Sequence, residues 1–312
     1  MIKNLFEEPL LEIFDKHINL SKLNEIRLRI NKPIIIYVSS KPYYLAYTGI
    51  TNKKEDAIIT SREMLYNIIK RASEHSLYAI NNQLKQGFIT VLGGVRIGVC
   101  GEIVVEDNVV KTIKNFSSIN IRIAREIKNC SINIFDILLQ GGFNNTLIVS
   151  SPGCGKTTMI RDILFQLSQR SYAYNVLLVD ERFEIANCFN GLPTLDVGDF
   201  TDVISGHNKA YSFENGIRSM SPDILVTDEL SSQSDIDAVL TIANSGVKLL
   251  ASVHAKDIDD LKEKKQFKQI LDQKVFKRIV VISKNRGPGT IEGVFDENFR
   301  CLYVWSFCCA LF

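Results

Sequence analysis

The sequence has no excess of charge of either sign, no long apolar run, no paired-cysteine spacing and no internal repeat, and each absence removes a class of function. Its 312 residues hold 37 Lys and Arg against 35 Asp and Glu, a formal net charge of +2. That balance gives no electrostatic case for nucleic acid. No segment approaches the roughly 20 apolar residues a membrane helix needs. The nearest stretch, residues 301–312, is too short to span and contains Ser306, so a final strand is expected there. Residues 1–8 turn acidic before any apolar core of a leader could form, so no secretory signal is expected. The seven cysteines show neither C-x-x-C nor Cys/His metal spacing. They read as reduced cytosolic thiols rather than as a disulfide framework. Low-complexity tracts are absent too; the Lys-rich residues 262–277 read as a solvated helix.

What is present describes an ordinary globular chain, 46% hydrophobic and 23% charged, and its length calls for two domains. Near the start Leu5, Phe6, Leu10, Ile13 and Phe14 recur close to helical spacing. Ile26, Leu28 and Ile30 then alternate with Arg27 and Arg29, and Pro33 separates this strand from the apolar run 34–38. Thr60-Ser61-Arg62-Glu63 reads as a capping box opening a helix that buries Met64, Leu65, Ile68 and Ile69. A second short helix is expected over 76–85, ending near Gly87. Residues 88–123 turn to β pattern, with Gly93-Gly94 and Glu106-Asp107-Asn108 as turns.

The most informative stretch is residues 150–158, Ser-Ser-Pro-Gly-Cys-Gly-Lys-Thr-Thr. An apolar run, 146–149, leads into it, and Met159, Ile160, Ile163, Leu164 and Leu167 follow on one helical face. Strand, Gly-rich turn and helix in that order form a phosphate-binding loop, or Walker A motif, whose backbone N–H groups and helix dipole converge on an oxyanion. Ser151, Pro152, Gly153, Cys154, Gly155, Lys156, Thr157 and Thr158 are the expected nucleotide-binding residues. Lys156 would reach the β- and γ-phosphates, and the Thr157 hydroxyl would hold Mg²⁺. Ser150 stands where the strict pattern has a glycine, a residue favoured there for freedom at φ > 0.

The second half alternates strand and helix, which implies a parallel sheet covered on both faces. Strands are expected at 146–149, 175–180, 224–228, 248–253 and 278–283. Ligands of such sheets sit at the carboxyl ends of the strands. There the third strand runs into Asp228-Glu229, a Walker B pattern. Asp228 would hold Mg²⁺ through water, and Glu229 would polarise the attacking water. Glu181 either shares that task or pairs with Arg182; His254 either senses the γ-phosphate or simply packs. Arg218, on a face with Phe213 and Ile217, is either an anchor or a phosphate contact from a neighbouring subunit. The expected fold is therefore α/β, a RecA-like P-loop NTPase domain with a parallel sheet, preceded by a smaller α+β domain. The expected boundaries are 1–125 for the α+β domain, 126–143 for a linker with a helix near 134–139, 144–299 for the ATPase domain and 300–312 for an apolar tail. ATP and Mg²⁺ are the expected cofactors.

These motifs carry a resemblance. Residues 151–158, Val179-Asp180-Glu181-Arg182, residues 217–224 with Asp228-Glu229, and Asn285-Arg286-Gly287-Pro288-Gly289 resemble the stage III sporulation protein AA family of endospore-forming Firmicutes. Glu25-Ile26-Arg27-Leu28-Arg29, Gly93-Gly94-Val95-Arg96 and residues 121–126 extend the match, which ends near residue 299. That family is in turn similar to the traffic ATPases of type II and type IV secretion, whose Walker B segment resembles residues 221–229 and whose histidine box resembles Ser252-Val253-His254-Ala255. The resemblance implies an ATPase of the mother-cell cytoplasm, a homo-oligomer for which a hexameric ring is one form. It implies work at the membrane with the other proteins of a stage III channel complex facing the forespore. It also strengthens the roles of Glu229 and His254.

No arginine follows the Walker B pair, where Leu230-Ser231-Ser232 stand. Arg122 and Arg125 are candidates for the missing charge, because arginines of the N-terminal domain reach the nucleotide in the similar secretion ATPases; a solvated strand face is the alternative. Two other functions stay open: an ATP-binding scaffold with little turnover, and a nucleic-acid-translocating ATPase, which the near-neutral charge disfavours.

Overall fold

The computed structural model describes residues 2–39, 41–73, 80–85, 87–91, 95–123, 126–170, 172–206 and 209–304. The chain divides into two units, Met1–Arg125 and Glu126–Phe312, each with its own sheet.

In the first unit the strands are β1 (Leu23–Arg29), β2 (Ile35–Val38), β3 (Lys41–Ala46), β4 (Gly49–Thr51), β5 (Phe88–Val91), β6 (Val95–Glu106) and β7 (Val109–Ile123). They form one antiparallel sheet in the order β4-β3-β2-β1-β7-β6-β5. Helices α1 (Leu10–Lys16), α2 (Arg62–Ala72) and α3 (Asn81–Lys85) accompany it. The period-2 rule decides what each residue does. Ile26 and Leu28 are fully buried with Phe14, Leu65 and Ile121, while Arg27 and Arg29 stay half-buried on the other face. Arg27 pairs with Glu25 and lies over the Tyr37 ring at 5.6 Å.

The box expected at the start of α2 does not form. Ser61 is the N-cap, its Oγ accepting the Met64 N–H at 3.0 Å, so Glu63 falls one position short of the reciprocal contact. A complete capping box occurs instead at Ser232 and Asp235. The short helix expected over 76–85 is described only from Asn81, and Gly93-Gly94 lies outside the described residues.

In the second unit the strands are β8 (Thr146–Ser150), β9 (Val176–Asp180), β10 (Thr201–Ser205), β11 (Ile224–Glu229), β12 (Lys248–His254), β13 (Arg278–Ser283), β14 (Thr290–Phe295) and β15 (Cys301–Val304). Their order is β10-β9-β11-β12-β8-β13-β14-β15. The first six in that order run parallel; β14 and β15 are added antiparallel. Every residue of β8 and β9 is buried, as expected of a strand covered on both faces. Helices α4 (Ile132–Leu138) and α5 (Lys156–Gln169) cover one face. The other is covered by α6 (Lys209–Met220), α7 (Gln233–Ala243), α8 (Ile258–Glu263) and α9 (Lys268–Asp272). Each fully buried Leu or Ile here contributes about 1.5–3 kcal/mol.

Three features go beyond the sequence expectation. Strand β10, Thr-Asp-Val-Ile-Ser, is a half-exposed edge strand whose polar residues hide the pattern, and β14 carries Gly293 and follows a Gly-Pro-Gly turn. Residues 126–143, expected as a linker, are built into the second unit. Ile134, Phe135 and Leu138 are fully buried, and the Asp162 carboxylate accepts the Asn129 N–H at 2.7 Å, the Ser131 N–H at 2.7 Å and the Ser131 hydroxyl at 2.6 Å. The expected final strand is β15, and the rest of the tail, residues 305–312, lies outside the described residues. Among the described residues no helix is long and apolar enough to cross a membrane.

The topology fixes where a ligand can sit. Leaving β8 through α5, the chain reaches β9 on the far side of β11 and β12, while β13 pairs on the opposite side of β8. The order reverses at β8, and the crevice above its carboxyl end opens there.

Candidate nucleotide site

At the end of β8 the chain turns through Gly153 (φ 74°) and Gly155 (φ 94°) and enters α5 at Lys156. These are the positions that need glycine. Ser150 does not: it stays in strand conformation, without positive φ, and its Oγ donates to the Ser151 carbonyl at 2.9 Å. The departure from the strict motif therefore has no conformational cost. A Cβ on Gly155 would stand 3.3 Å from the Gly289 nitrogen, and the Gly289 N–H donates to the Cys154 carbonyl at 2.8 Å. The Asn285–Gly289 turn thus braces the Gly-rich loop, a role that its spacing in the sequence did not reveal. Cys154 is buried beneath the loop; Pro152 and Gly153 are exposed, and Ser151, Thr157 and Thr158 are half-buried.

Lys156 is buried, and its ammonium donates to the Ser150 carbonyl at 3.2 Å and lies 2.6 Å from His254 Nδ1. An ammonium has only donors, so Nδ1 accepts and the ring proton resides on Nε2. That nitrogen is 2.8 Å from Glu229 Oε2, which Arg182 also approaches at 3.6 Å. Lys156, His254, Glu229 and Arg182 are thereby linked in one chain. Burial pulls the Lys156 pKa below its ordinary value, and the Glu229 charge opposes this.

Successive strand residues point opposite ways, so Asp228 takes a different partner from Glu229. Asp228 Oδ1 is 3.1 Å from the Lys209 ammonium, which also holds Glu181 Oε2 at 2.8 Å. Asp228 Oδ2 is buried and has no hydrogen-bond partner among the described residues. Burial pushes the Asp228 carboxyl up to about 6, with Lys209 restraining the rise. For Lys209 itself burial acts downward, but the Asp228 charge and the Glu181 hydrogen bond outweigh it, and the pKa is raised. Asp180 is structural: its carboxylate accepts the N–H groups of Glu184, Ile185 and Ala186 at 2.9, 3.1 and 2.9 Å.

The structure thus brings Lys156, His254, Glu229, Asp228 and Glu181 together at the carboxyl ends of β8, β9, β11 and β12. The Glu181–Arg182 pair is not the contact that forms; Glu181 turns to Lys209 and Arg182 to Glu229. Lys209 was missed because a single lysine at a helix start carries no motif. Arg218 does not join the cluster. It lies in the last turn of α6, nine residues or roughly 13 Å beyond Lys209, 75% exposed and paired with Glu214 at 2.9 Å. Arg122 is exposed in β7, opposite Glu25 of β1 and Arg96 of β6, and Arg125 lies outside the described residues.

These residues fit a magnesium nucleotide. Left-handed glycines, the N-terminus of a 14-residue helix and a buried lysine suit phosphates. The spare oxygen of Asp228 and the Thr157 hydroxyl are hard donors of the kind magnesium prefers. Among the described residues no group of three or more His, Cys, Asp or Glu could hold a metal by itself.

Comparison with known proteins gives the family and the fold. The family model described as "Sporulation stage III, protein AA" matches residues 2–302. The chain is 35% identical over 286 residues to the stage III sporulation protein AA of Bacillus subtilis (strain 168), covering 90% of this chain and 89% of that protein. Among solved structures, the ATPase DotB of Yersinia pseudotuberculosis is similar with a TM-score of 0.57 and 14% identity, over 88% of this chain and 76% of that one. The pilus retraction motor PilT, solved with bound ADP, is similar with a TM-score of 0.55 and 16% identity, over 88% and 78%. At these identities the likeness shows the fold alone: α/β of the RecA-like P-loop NTPase type with a parallel sheet, preceded by a smaller α+β domain.

Proposed function

The chain belongs to the sporulation stage III protein AA family, and from that premise we propose that it is an ATP-hydrolysing motor of a secretion-like channel complex between mother cell and forespore. It works as a homo-oligomer from the mother-cell cytoplasm, peripheral to the membrane through the other proteins of that complex. The observation that carries the hydrolytic part is the contact chain Lys156–His254–Glu229, beside an Asp228 that keeps one oxygen spare.

The residues divide the work. The loop N–H groups and Lys156 receive the phosphates, and to do so the ammonium turns away from His254 Nδ1. The His254 Nε2 proton continues to hold Glu229 in place. Glu229 orients the attacking water and takes its proton. Bound magnesium would supply charge neutralisation at the phosphates, held by Thr157 and, through water, by Asp228. The positive charge still needed at the leaving phosphate comes from Arg122 or Arg125 of a neighbouring subunit.

Phosphate release by the full-length chain, measured with Mg²⁺ and ATP and with or without single-stranded DNA, tests the reading. Lys156→Ala should lose nucleotide binding. Glu229→Gln should keep binding and lose turnover. Normal turnover in Glu229→Gln would reject the assigned chemistry, binding without turnover in the unaltered chain would favour a scaffold, and strong stimulation by DNA a translocase.

A further inference from the structure

Four carboxylates end the neighbouring strands β9 and β11 or follow directly: Asp180, Glu181, Asp228 and Glu229. Like charges so close must each be answered. Asp180 is answered by three backbone N–H groups, and Glu229 by His254 and Arg182. Glu181 and Asp228 share Lys209, whose ammonium lies 2.8 and 3.1 Å from them. Its side chain is 3% exposed, less than that of any other ion-paired Lys or Arg described. A charge so enclosed has lost its water and is kept only by its partners. The proposed hydrolysis gives it no step: Lys156 meets the phosphates, and Lys209 faces the carboxylates.

We propose that Lys209 is a built-in counter-cation at the magnesium position, offsetting one of the two charges of Glu181 and Asp228 while nucleotide is away and so weakening the binding of a divalent cation ahead of nucleotide. The substrate is then the preformed magnesium–nucleotide complex, because the phosphates bring the negative charge that Lys209 has cancelled. This inference rests on the reading of Asp228 as the magnesium-side residue. A plain structural salt bridge predicts the opposite response to removal of the lysine: the carboxylates splay apart and metal binding weakens. Charge compensation predicts that it strengthens. Even at the dielectric constant of water, removing a unit charge about 5 Å from a divalent ion changes its affinity by about tenfold.

The experiment titrates Mn²⁺, followed by electron paramagnetic resonance, into the full-length chain without nucleotide and again with ADP. The expected result is weak binding of Mn²⁺ alone to the unaltered chain and to Lys209→Arg, with binding to Lys209→Gln tighter by about tenfold or more. With ADP present the three should bind Mn²⁺ within a few-fold of one another. Affinity for Mn²⁺ alone that is unchanged or weaker in Lys209→Gln would overturn the proposal. If Lys209→Gln does not fold, the unaltered chain gives a second reading. The ¹⁵N-ammonium signal of Lys209, identified by its loss in Lys209→Arg, should broaden with Mn²⁺–ADP and stay sharp with Mg²⁺–ADP; an unaffected signal overturns the proposal. Failure of the unaltered chain to bind Mn²⁺–ADP would reject both this inference and the nucleotide site beneath it, whereas normal binding without tightening in Lys209→Gln rejects this inference alone.

Discussion

Asp228→Asn should change how stability depends on pH, and the structure gives both the sign and the size. The folded protein holds the Asp228 proton more tightly than the unfolded chain does, because burial raises its pKa from 3.8 to about 6. Well below pH 4 the group is protonated in both states and costs nothing. As the pH rises from about 4 to about 6 the unfolded chain releases the proton first, so the folded state loses stability, and above about 6 the loss is complete. The shift of about 2 units, at 1.36 kcal/mol each, amounts to about 3 kcal/mol. Asparagine cannot titrate and escapes this loss. Urea unfolding followed by circular dichroism, without nucleotide, at half-unit steps from pH 4 to 7, gives the stability of each form. Carboxyls held low elsewhere, such as Glu7 and Asp296, tilt both curves the other way and cancel in the difference. The difference, variant minus unaltered chain, should rise by about 3 kcal/mol across the window and then level. A difference flat within about 0.5 kcal/mol, or one that falls with pH, would refute the reasoning. It would mean that Lys209 outweighs burial and keeps Asp228 ionised as an ordinary ion pair.

Further outcomes follow from other contacts. Gly155→Ala, which forces an alanine to φ 94° with its Cβ 3.3 Å from the Gly289 nitrogen, should weaken ATP binding at least about tenfold and cost about 1–2 kcal/mol, whereas Ser150→Gly should leave ATP affinity unchanged; fluorescent-nucleotide titration checks both. Asp162→Ala removes three hydrogen bonds that fasten residues 129–131 to α5, and urea unfolding should show a loss of about 2–4 kcal/mol. Arg122→Ala should cut turnover without weakening ATP binding, and specific activity of the unaltered chain should rise with protein concentration; equal activity down to monomeric dilution would discard the contribution in trans.

What the sequence made legible follows from how local each signal is. The five strands expected in the second unit are all present, because fully buried parallel strands read as continuous apolar runs. Strand β10 was not legible, since an edge strand paired only with β9 need not be apolar on both faces. Nor was the integration of residues 126–143, because the partner that makes Ser131 buried is Asp162, 31 residues away. Sequence spacing cannot encode such a meeting.

The site divides along the same line. Lys156 and the Asp228-Glu229 pair were readable because each belongs to a motif with fixed neighbours: a glycine turn before a helix, and carboxylates after an apolar strand. Lys209 answers a different demand, a charge balance that any cation reaching the ends of β9 and β11 could meet, so nothing near it in the chain announces it. Ser150 errs in the other direction. The pattern attaches a glycine to that position, yet the backbone there is ordinary strand, and the left-handed turns fall at Gly153 and Gly155. A motif letter records what has been common at a position; the φ angle decides what the position requires. By that measure the turn after β8 is intact, and in the proposed mechanism the difference between binding and turnover rests on Glu229, His254 and an arginine such as Arg122.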